Sequence, residues 1–238
     1  MAYQTIFKRY ELKYMLNIEQ KEKLIRFMEP YMALDPFGKS TIRNVYYDMD
    51  TYRLIRRSLE KPAYKEKLRI RSYEKASGDS DVFVELKKKY KSVVYKRRMV
   101  MPELEAVDWL SGQQSCPEQT QISREIDYFQ SFYGTLHPVV FLSYDREAFY
   151  SVADDDFRMT FDENILYREE DLSLTADIYG TPLLKKDQVL MELKTAGGLP
   201  LWMTHFLTRQ RIQRTSFSKY GTAYQRMQTK TAGGKLYA

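Results

Sequence analysis

Basic and apolar residues alternate along several segments of this chain. In the segment 64–73, Lys65, Lys67, Arg69 and Arg71 occupy every second position, with mostly apolar residues between them. Successive side chains of a β-strand point to opposite faces, so residues of one parity share a face. The pattern therefore predicts strands with one basic face and one apolar face. The same arrangement recurs in Arg9, Glu11 and Lys13; in Glu85, Lys87 and Lys89; in Lys96 and Arg98; in Arg158, Thr160 and Asp162; and in Glu192 and Lys194.

Helical segments separate these strands, which predicts an α+β fold. Asn17 and Gln20 have the spacing of a capping box and predict a helix that ends near Met28, with Ile18, Ile25 and Met28 buried. The expected strands, about eight in number, lie at 5–14, 41–48, 63–73, 82–90, 93–101, 139–150, 157–167 and 189–195. The other expected helices lie at 51–59 (capped by Asp50 or Thr51), 102–110, 123–133, 200–207 and 218–228, and a chain break is expected at 35–38.

The polar faces of these strands are unusually basic. An antiparallel strand commonly has one face in water, and any one of these strands fits that description. Solvated faces, however, mix Ser, Thr, Asn and Gln among the charges, whereas these faces carry mostly Lys and Arg with single Glu residues. We therefore expect a closed antiparallel barrel with helices packed outside and a cationic tunnel inside. Buried unpaired cations are too unfavourable to persist, so such a tunnel implies a polyanion, such as a linear triphosphate or polyphosphate.

The composition excludes several other kinds of site. One cysteine, Cys116, and two histidines, His137 and His205, leave no Cys- or His-based metal centre and no credible catalytic triad. The formal net charge of +6 agrees with an anionic partner. The run 87–98 has the character of a nucleic-acid patch, but its strict alternation favours a phosphate-lined face, although an RNA 5′-triphosphate would satisfy both.

The chain has no apolar stretch with the length of a membrane span and no segment typical of a signal peptide. We therefore expect a cytoplasmic protein. The expected organisation is a single domain over 1–230 followed by a flexible tail over 231–238.

Several motifs together resemble the VTC domain, the polyphosphate polymerase member of the CYTH-like superfamily of triphosphate tunnel metalloenzymes. The resemblance is to the stand-alone bacterial type and covers nearly the whole chain. The motifs are RYELKY (9–14), NVYYD (44–48), KLRIRSY (67–73), VFVELKKK (82–89), YKRRMVM (95–101), SYDREAF (143–149), FRMTFDENI (157–165), VLMELKTAGGLPLW (189–202) and SFSKYGTAY (216–224).

The resemblance implies transfer of the γ-phosphate of ATP to a growing inorganic polyphosphate chain, with Mn²⁺ or Mg²⁺ as the metal. It also implies a possible membrane-protein partner, with recruitment to the inner face of the membrane. The implied catalytic residues are Lys13, Arg69, Arg71, Lys87, Lys96 and Glu192, the last of which binds the metal. The implied substrate-binding residues are Arg9, Lys67, Arg98, Arg146, Arg158, Lys194 and Lys219.

Two points remain open within the resemblance. Glu11 and Glu85 share the parity of the basic residues, so each could assist the metal or simply pair with a neighbouring Lys. Ser216 stands where the family usually has a second lysine, and Arg211 and Arg214 are the nearby cations that could compensate.

Two other functions keep the same fold. A triphosphate hydrolase, acting on inorganic or nucleoside triphosphates, usually carries the paired-carboxylate pattern ExExK. This chain has Arg9 where the first Glu of that pattern would stand, which argues against hydrolysis. A non-catalytic polyphosphate-binding module would keep the basic residues but could dispense with Glu192, so the presence of this residue favours an enzyme.

Overall fold

An antiparallel sheet of ten strands dominates the computed structural model, which describes residues 10–91 and 93–234. The expected antiparallel α+β architecture is confirmed. The strands follow one another across the sheet in the order β10-β1-β9-β7-β6-β2-β3-β4-β5, and β8 pairs with β7. They are β1 (Tyr10–Asn17), β2 (Met32–Asp48), β3 (Tyr64–Ser72), β4 (Asp81–Tyr90), β5 (Val93–Pro102), β6 (His137–Ser151), β7 (Arg158–Arg168), β8 (Thr181–Pro182), β9 (Gln188–Thr195) and β10 (Arg214–Thr215).

The closure predicted for the barrel is not confirmed. In the part of the chain that the structure describes, β5 and β10 end the strand order and no ladder joins them, so the sheet is open there. The sheet nevertheless curves strongly. Glu11 in β1 accepts a hydrogen bond of 2.9 Å from Lys87 in β4, although five strands lie between β1 and β4 in the sheet. The expected basic face is therefore the concave face of this sheet.

Six helices are described: α1 (Ile18–Met28), α2 (Arg53–Leu59), α3 (Glu103–Leu110), α4 (Gln121–Tyr133), α5 (Leu201–Arg209) and α6 (Lys219–Gly234). The predicted capping box of α1 is present, because Asn17 accepts from the backbone N–H of Gln20 and Gln20 accepts from that of Asn17. The predicted apolar stripe is wrong at Ile18, which is 46% exposed. Met28 is buried as predicted, and Leu24 is buried as well, together with Lys21, which forms ion pairs with Glu147 and Glu163.

Two local predictions in the first quarter of the chain are also wrong. Strand β2 continues through 35–38, where a break was expected, because a register shift between Leu34 and Lys39 absorbs the turn residues. Helix α2 is not capped by Asp50 or Thr51. The carboxylate of Asp48, at the end of β2, accepts hydrogen bonds from the first N–H groups of the helix instead, at 2.9 and 3.0 Å.

The apolar faces of the strands form the core, as expected. Val82, Val84 and Leu86 of β4 are fully buried, and helices α3 and α4 cover this convex side of the sheet. The expectation that the helices pack outside the sheet is wrong for α6, because its Tyr220, Ala223 and Met227 pack with Tyr46, Leu142 and Leu190, which share the face of the basic residues. Helix α6 reaches Gly234, four residues into the segment expected to be a tail, and residues 235–238 lie outside the description. In the described residues, no helix combines the length and the apolar character that crossing a membrane requires.

Candidate functional site

The strand register places the predicted basic residues side by side on the concave face. Lys65 lies opposite Lys89, and Lys87 lies opposite both Lys67 and Lys96. Like charges directly opposite each other destabilise a sheet, so this arrangement requires compensating anions. Four carboxylates lie among the cations of the concave face in the described part of the chain: Glu11, Glu85, Asp162 and Glu192.

Glu85 is the centre of one cluster of charges. Its side chain is 1% exposed, and its two oxygens contact Arg69 at 2.7 Å, Lys96 at 2.6 Å and Arg98 at 2.6 Å. The guanidinium of Arg71 lies 4.0 Å away. Burial alone would raise the pKa of Glu85, but these four cations hold it well below its usual range. The carboxylate is therefore ionised, and it fixes the positions of the surrounding basic groups.

Asp162 and Glu192 form the centre of a second cluster. Arg146 binds Asp162 through two hydrogen bonds of 2.6 and 2.7 Å and lies 3.5 Å from Glu192. The ammonium of Lys219 bridges the two carboxylates, at 2.5 Å from Asp162 and 3.1 Å from Glu192. Lys13 reaches Glu192 at 3.3 Å. Burial would raise the pKa of Glu192, but Lys13, Lys219 and Arg146 hold it well below its usual range.

Two further contacts join parts of the concave face that are distant along the sheet. Lys87 donates to Glu11 across the concave face, and its charge lowers the pKa of Glu11 far below the usual value. Lys67 donates to the hydroxyl of Ser218, in the segment that leads into α6, at 3.2 Å. The segment before α6 therefore closes over the basic face, so the concave face is partly shielded from water.

The four carboxylates do not neutralise all of the cations around them. Burial and the neighbouring charges of Lys13 and Lys87 lower the pKa of Lys67 to about 7. Burial lowers the pKa of Lys96 to about 7 as well, although Glu85 opposes the shift. Burial and an excess of positive charge both make an amine lose its proton more easily. A bound anion would remove that excess.

The structure brings most of the predicted site residues together on the concave face. These are Lys13, Lys67, Arg69, Arg71, Lys87, Lys96, Arg98, Arg146, Lys194 and Lys219, with Glu11, Glu85 and Glu192. Arg158 is exposed at the start of β7, opposite Lys194 in the register. Arg9 lies outside the described residues.

Of the two cations suggested as compensation for Ser216, Arg214 faces away from the concave face. Lys13 of β1 lies opposite Thr215, whereas Tyr14, on the other face, lies opposite Arg214. Arg214 is therefore on the convex side, where burial raises the pKa of Tyr14 and the charge of Arg214 opposes that rise. Arg211 is exposed.

Several polar residues of the site were not predicted as site residues. Asp162 shares the predicted polar face of its strand, so the parity argument could have identified it. Asn44 accepts from Arg71 at 2.9 Å, and Tyr144 accepts from it at 3.0 Å. Neutral side chains of this kind carry no charge pattern, so only the fold shows that they hold Arg71 in place.

The carboxylates allow one kind of metal site. In the described residues, no group of three or more Asp, Glu, His or Cys side chains is arranged to hold a metal ion by itself. Mg²⁺ and related ions in phosphate-binding sites are commonly held by one or two carboxylates together with phosphate oxygens. Glu192 and Asp162, bridged by Lys219, provide such a pair. Glu85 has both oxygens occupied by cations, so its contacts favour pairing over metal binding.

Solved structures with a similar fold have low sequence identity to this chain. A candidate adenylate cyclase from Bacillus halodurans matches with a TM-score of 0.56 and 15% identity, over 90% of this chain and 96% of the other. A candidate adenylyl cyclase from Hippeastrum, described as having a dominant triphosphatase activity, matches with a TM-score of 0.54 and 14% identity, over 89% of this chain and 92% of the other. A comparison with curated proteins gave no match.

The family comparison covers most of the chain. The model of the VTC domain matches residues 8–228, which include every predicted site residue. The resemblance inferred from the strand motifs is therefore confirmed, and the chain belongs to the VTC domain family.

Proposed function

We propose that this protein is a polyphosphate polymerase that transfers the γ-phosphate of ATP to the end of an inorganic polyphosphate chain. The observation that supports the proposal best is the concave basic face, where the cations outnumber the four carboxylates and include Lys67 and Lys96 with pKa values lowered to about 7. A linear chain of phosphates supplies negative charge along such a face. Membership of the VTC domain family supports a polyphosphate as the occupant.

The proposed reaction needs positioning and neutralisation of charge. The bond between the bridging oxygen and the γ-phosphorus of ATP breaks, a terminal oxygen of the polyphosphate chain forms the new bond to phosphorus, and ADP leaves. Phosphoryl transfer of this kind requires no covalent nucleophile from the protein. Arg69 and Arg71 are held rigidly by Glu85, Tyr46 and Asn44, so their N–H groups are already oriented for phosphate oxygens.

Glu192 and Asp162 would hold a divalent metal, with Mn²⁺ or Mg²⁺ as candidates. When bound, the metal would neutralise charge on the phosphate oxygens. Lys13 and Lys219 now contact Glu192, so they would turn from the carboxylate to the phosphates when a metal takes their place. We assign Lys13, Lys87, Lys96, Arg146 and Lys219 to phosphate binding as part of the proposal, and Arg158 to the open edge of the site.

The test is ³¹P NMR of the purified chain with ATP and Mn²⁺, with and without added pyrophosphate. A growing signal from internal phosphates, absent in Glu192→Ala, is the expected result. Glu125→Ala is the matched control, because Glu125 forms ion pairs with Lys88 and Arg97 on the convex side. Absence of an internal-phosphate signal in the folded wild-type protein would refute the polymerase.

A triphosphatase is the second candidate. The Hippeastrum protein of similar fold is described as having a dominant triphosphatase activity, and Glu11 and Lys13 retain the second half of the ExExK pattern. Release of orthophosphate without chain growth would establish this alternative. Tight binding of polyphosphate without turnover would indicate a binding module. A membrane-protein partner stays a prediction from the family resemblance.

A further inference from the structure

At one edge of the sheet, the concave face carries aromatic and aliphatic side chains. On β4, the parity that carries Glu85 and Lys87 continues outward to Phe83, and on β5 the parity of Arg98 continues to Val100. Tyr73, directly after β3, shares the parity of Arg71. These positions hold aromatic and aliphatic side chains, whereas the next positions on the same faces of β3, β4 and β5 hold the charged residues Arg71, Glu85 and Arg98. Val100 is 48% exposed and Tyr73 is 38% exposed, so the patch is accessible.

The opposite edge of β3 and β4 is basic. There the concave positions are Lys65 on β3 and Lys89 on β4, which lie opposite each other, whereas β5 has Val94 opposite Lys89. The lowered pKa of Lys65, caused by burial and by the charges of Lys89 and Lys87, agrees with an excess of positive charge at this edge. The concave face therefore has two chemically different ends.

The aromatic end is tied directly to the phosphate-binding machinery. The rings of Tyr73 and Phe83 pack edge to face, with centroids 5.4 Å apart. The guanidinium of Arg98 lies 4.2 Å from the centroid of Phe83, donates to the hydroxyl of Tyr73 at 3.1 Å, and pairs with Glu85.

We propose that Tyr73, Phe83 and Arg98, with Val100 beside them, bind the base of the nucleoside triphosphate by stacking. A nucleotide combines a flat apolar base with a charged phosphate chain, and this edge is where an aromatic patch meets the basic face. Aromatic rings and guanidinium groups both stack well on bases. A base site here would fix the orientation of the bound nucleotide. The nucleoside would lie at the Tyr73 edge, and the phosphate chain would extend towards Lys65 and Lys89. This inference rests on the proposed use of ATP.

The test compares the affinity of the protein for ATP with its affinity for inorganic triphosphate, which lacks a base. Both are titrated into the full chain by calorimetry in metal-free buffer, so that neither is turned over. Tyr73→Ala is expected to weaken ATP binding by roughly 5-fold or more, which is the range for loss of one stacked base. Binding of inorganic triphosphate is expected to stay within about 2-fold. Phe83→Ala should show the same selectivity.

Two controls separate stacking from other effects. Tyr73→Phe keeps the ring but removes the hydroxyl that binds Arg98, so its ATP affinity should remain close to that of the wild type. Tyr90→Ala removes a tyrosine that is 49% exposed at the other end of β4, and neither affinity should change. Circular dichroism spectra and melting temperatures show whether each variant is folded.

The outcomes distinguish this inference from the proposed function. Equal loss of ATP and triphosphate binding in Tyr73→Ala would show that Tyr73 acts only through Arg98 and would overturn the base site. Unchanged ATP binding in both Tyr73→Ala and Phe83→Ala would overturn it too. Selective loss of ATP binding in a protein that makes no polyphosphate would support the base site and refute the polymerase.

Discussion

Glu85→Gln is the substitution that tests most directly how the basic face is held together. The carboxylate of Glu85 is buried and lies within 2.7 Å of Arg69, Lys96 and Arg98. Glutamine has nearly the same shape but no charge, so the variant leaves these cations without their central anion. Breaking a buried ion pair by removing one partner typically destabilises a protein by about 3–5 kcal/mol.

This magnitude can be converted into a melting temperature. For a chain of this size, 1 kcal/mol changes the melting temperature by about 2–4 °C, so a decrease of roughly 6–20 °C is expected for Glu85→Gln. The pH dependence of this stabilisation follows from the difference between the folded and the unfolded pKa of Glu85. The pKa of Glu85 is lowered by folding, so its stabilising contribution is present above its unfolded pKa and is lost as the pH falls through its folded pKa. The difference between the wild type and the variant should therefore be full at pH 7 and decrease in acid.

The assay is thermal unfolding with and without inorganic triphosphate. Bound phosphates would supply the missing negative charge, so triphosphate should raise the melting temperature of the variant more than that of the wild type. The matched control is Glu125→Gln, whose partially exposed ion pairs with Lys88 and Arg97 predict a change of about 1 kcal/mol or less. A decrease below about 2 °C for Glu85→Gln, or no extra stabilisation by triphosphate, would refute the argument.

Three further predictions concern the charges of Lys67 and Glu11 and the cap of α1. The pKa of Lys67 is lowered to about 7, so the metal-free affinity for triphosphate should fall as the pH rises from 7 to 9, and titration calorimetry should show a smaller fall in Lys67→Arg. Glu11→Gln should tighten metal-free binding of triphosphate by a few-fold, because Lys87 is then free to bind phosphate; weaker binding in the same titration would contradict this. Asn17→Ala should lower the free energy of unfolding in urea by about 1 kcal/mol through loss of the α1 cap, without changing triphosphate affinity.

Alternation along single strands allowed much of this fold to be predicted. The strands β3, β4 and β5 begin and end within about a residue of their predicted limits, because their alternation is long. The errors in the predicted elements occur where contacts between residues far apart in the sequence determine the local structure. Asp48 caps α2 from the end of a strand, and a bulge in β2 absorbs a segment that would otherwise end it. Strands β8 and β10 have two residues each and are too short for alternation to show them.

The site, like the fold, was predicted only in part from the sequence. Parity identified which basic side chains share a face, and the register confirms that Lys67, Lys87 and Lys96 are neighbours. Parity could not show which carboxylate neutralises which cation, because most of these contacts depend on which strands are neighbours and on their register. The others cross the curved sheet or come from α6. It also could not show that Arg214 faces away from the site, since β10 has no pattern of its own.

The distribution of the four carboxylates explains how one face can be stable when empty and still bind a polyanion. Glu85 is buried and has ion pairs on both oxygens, so it would stay in place when phosphates bind and keep Arg69 and Arg98 oriented. Glu11 differs, because its contact with Lys87 links two distant strands and its side chain is 25% exposed. A phosphate can replace Glu11 at Lys87 with little rearrangement of the core, whereas replacing Glu85 would leave a carboxylate buried without partners. Substrate binding should therefore exchange the Glu11 contact and preserve the Glu85 cluster.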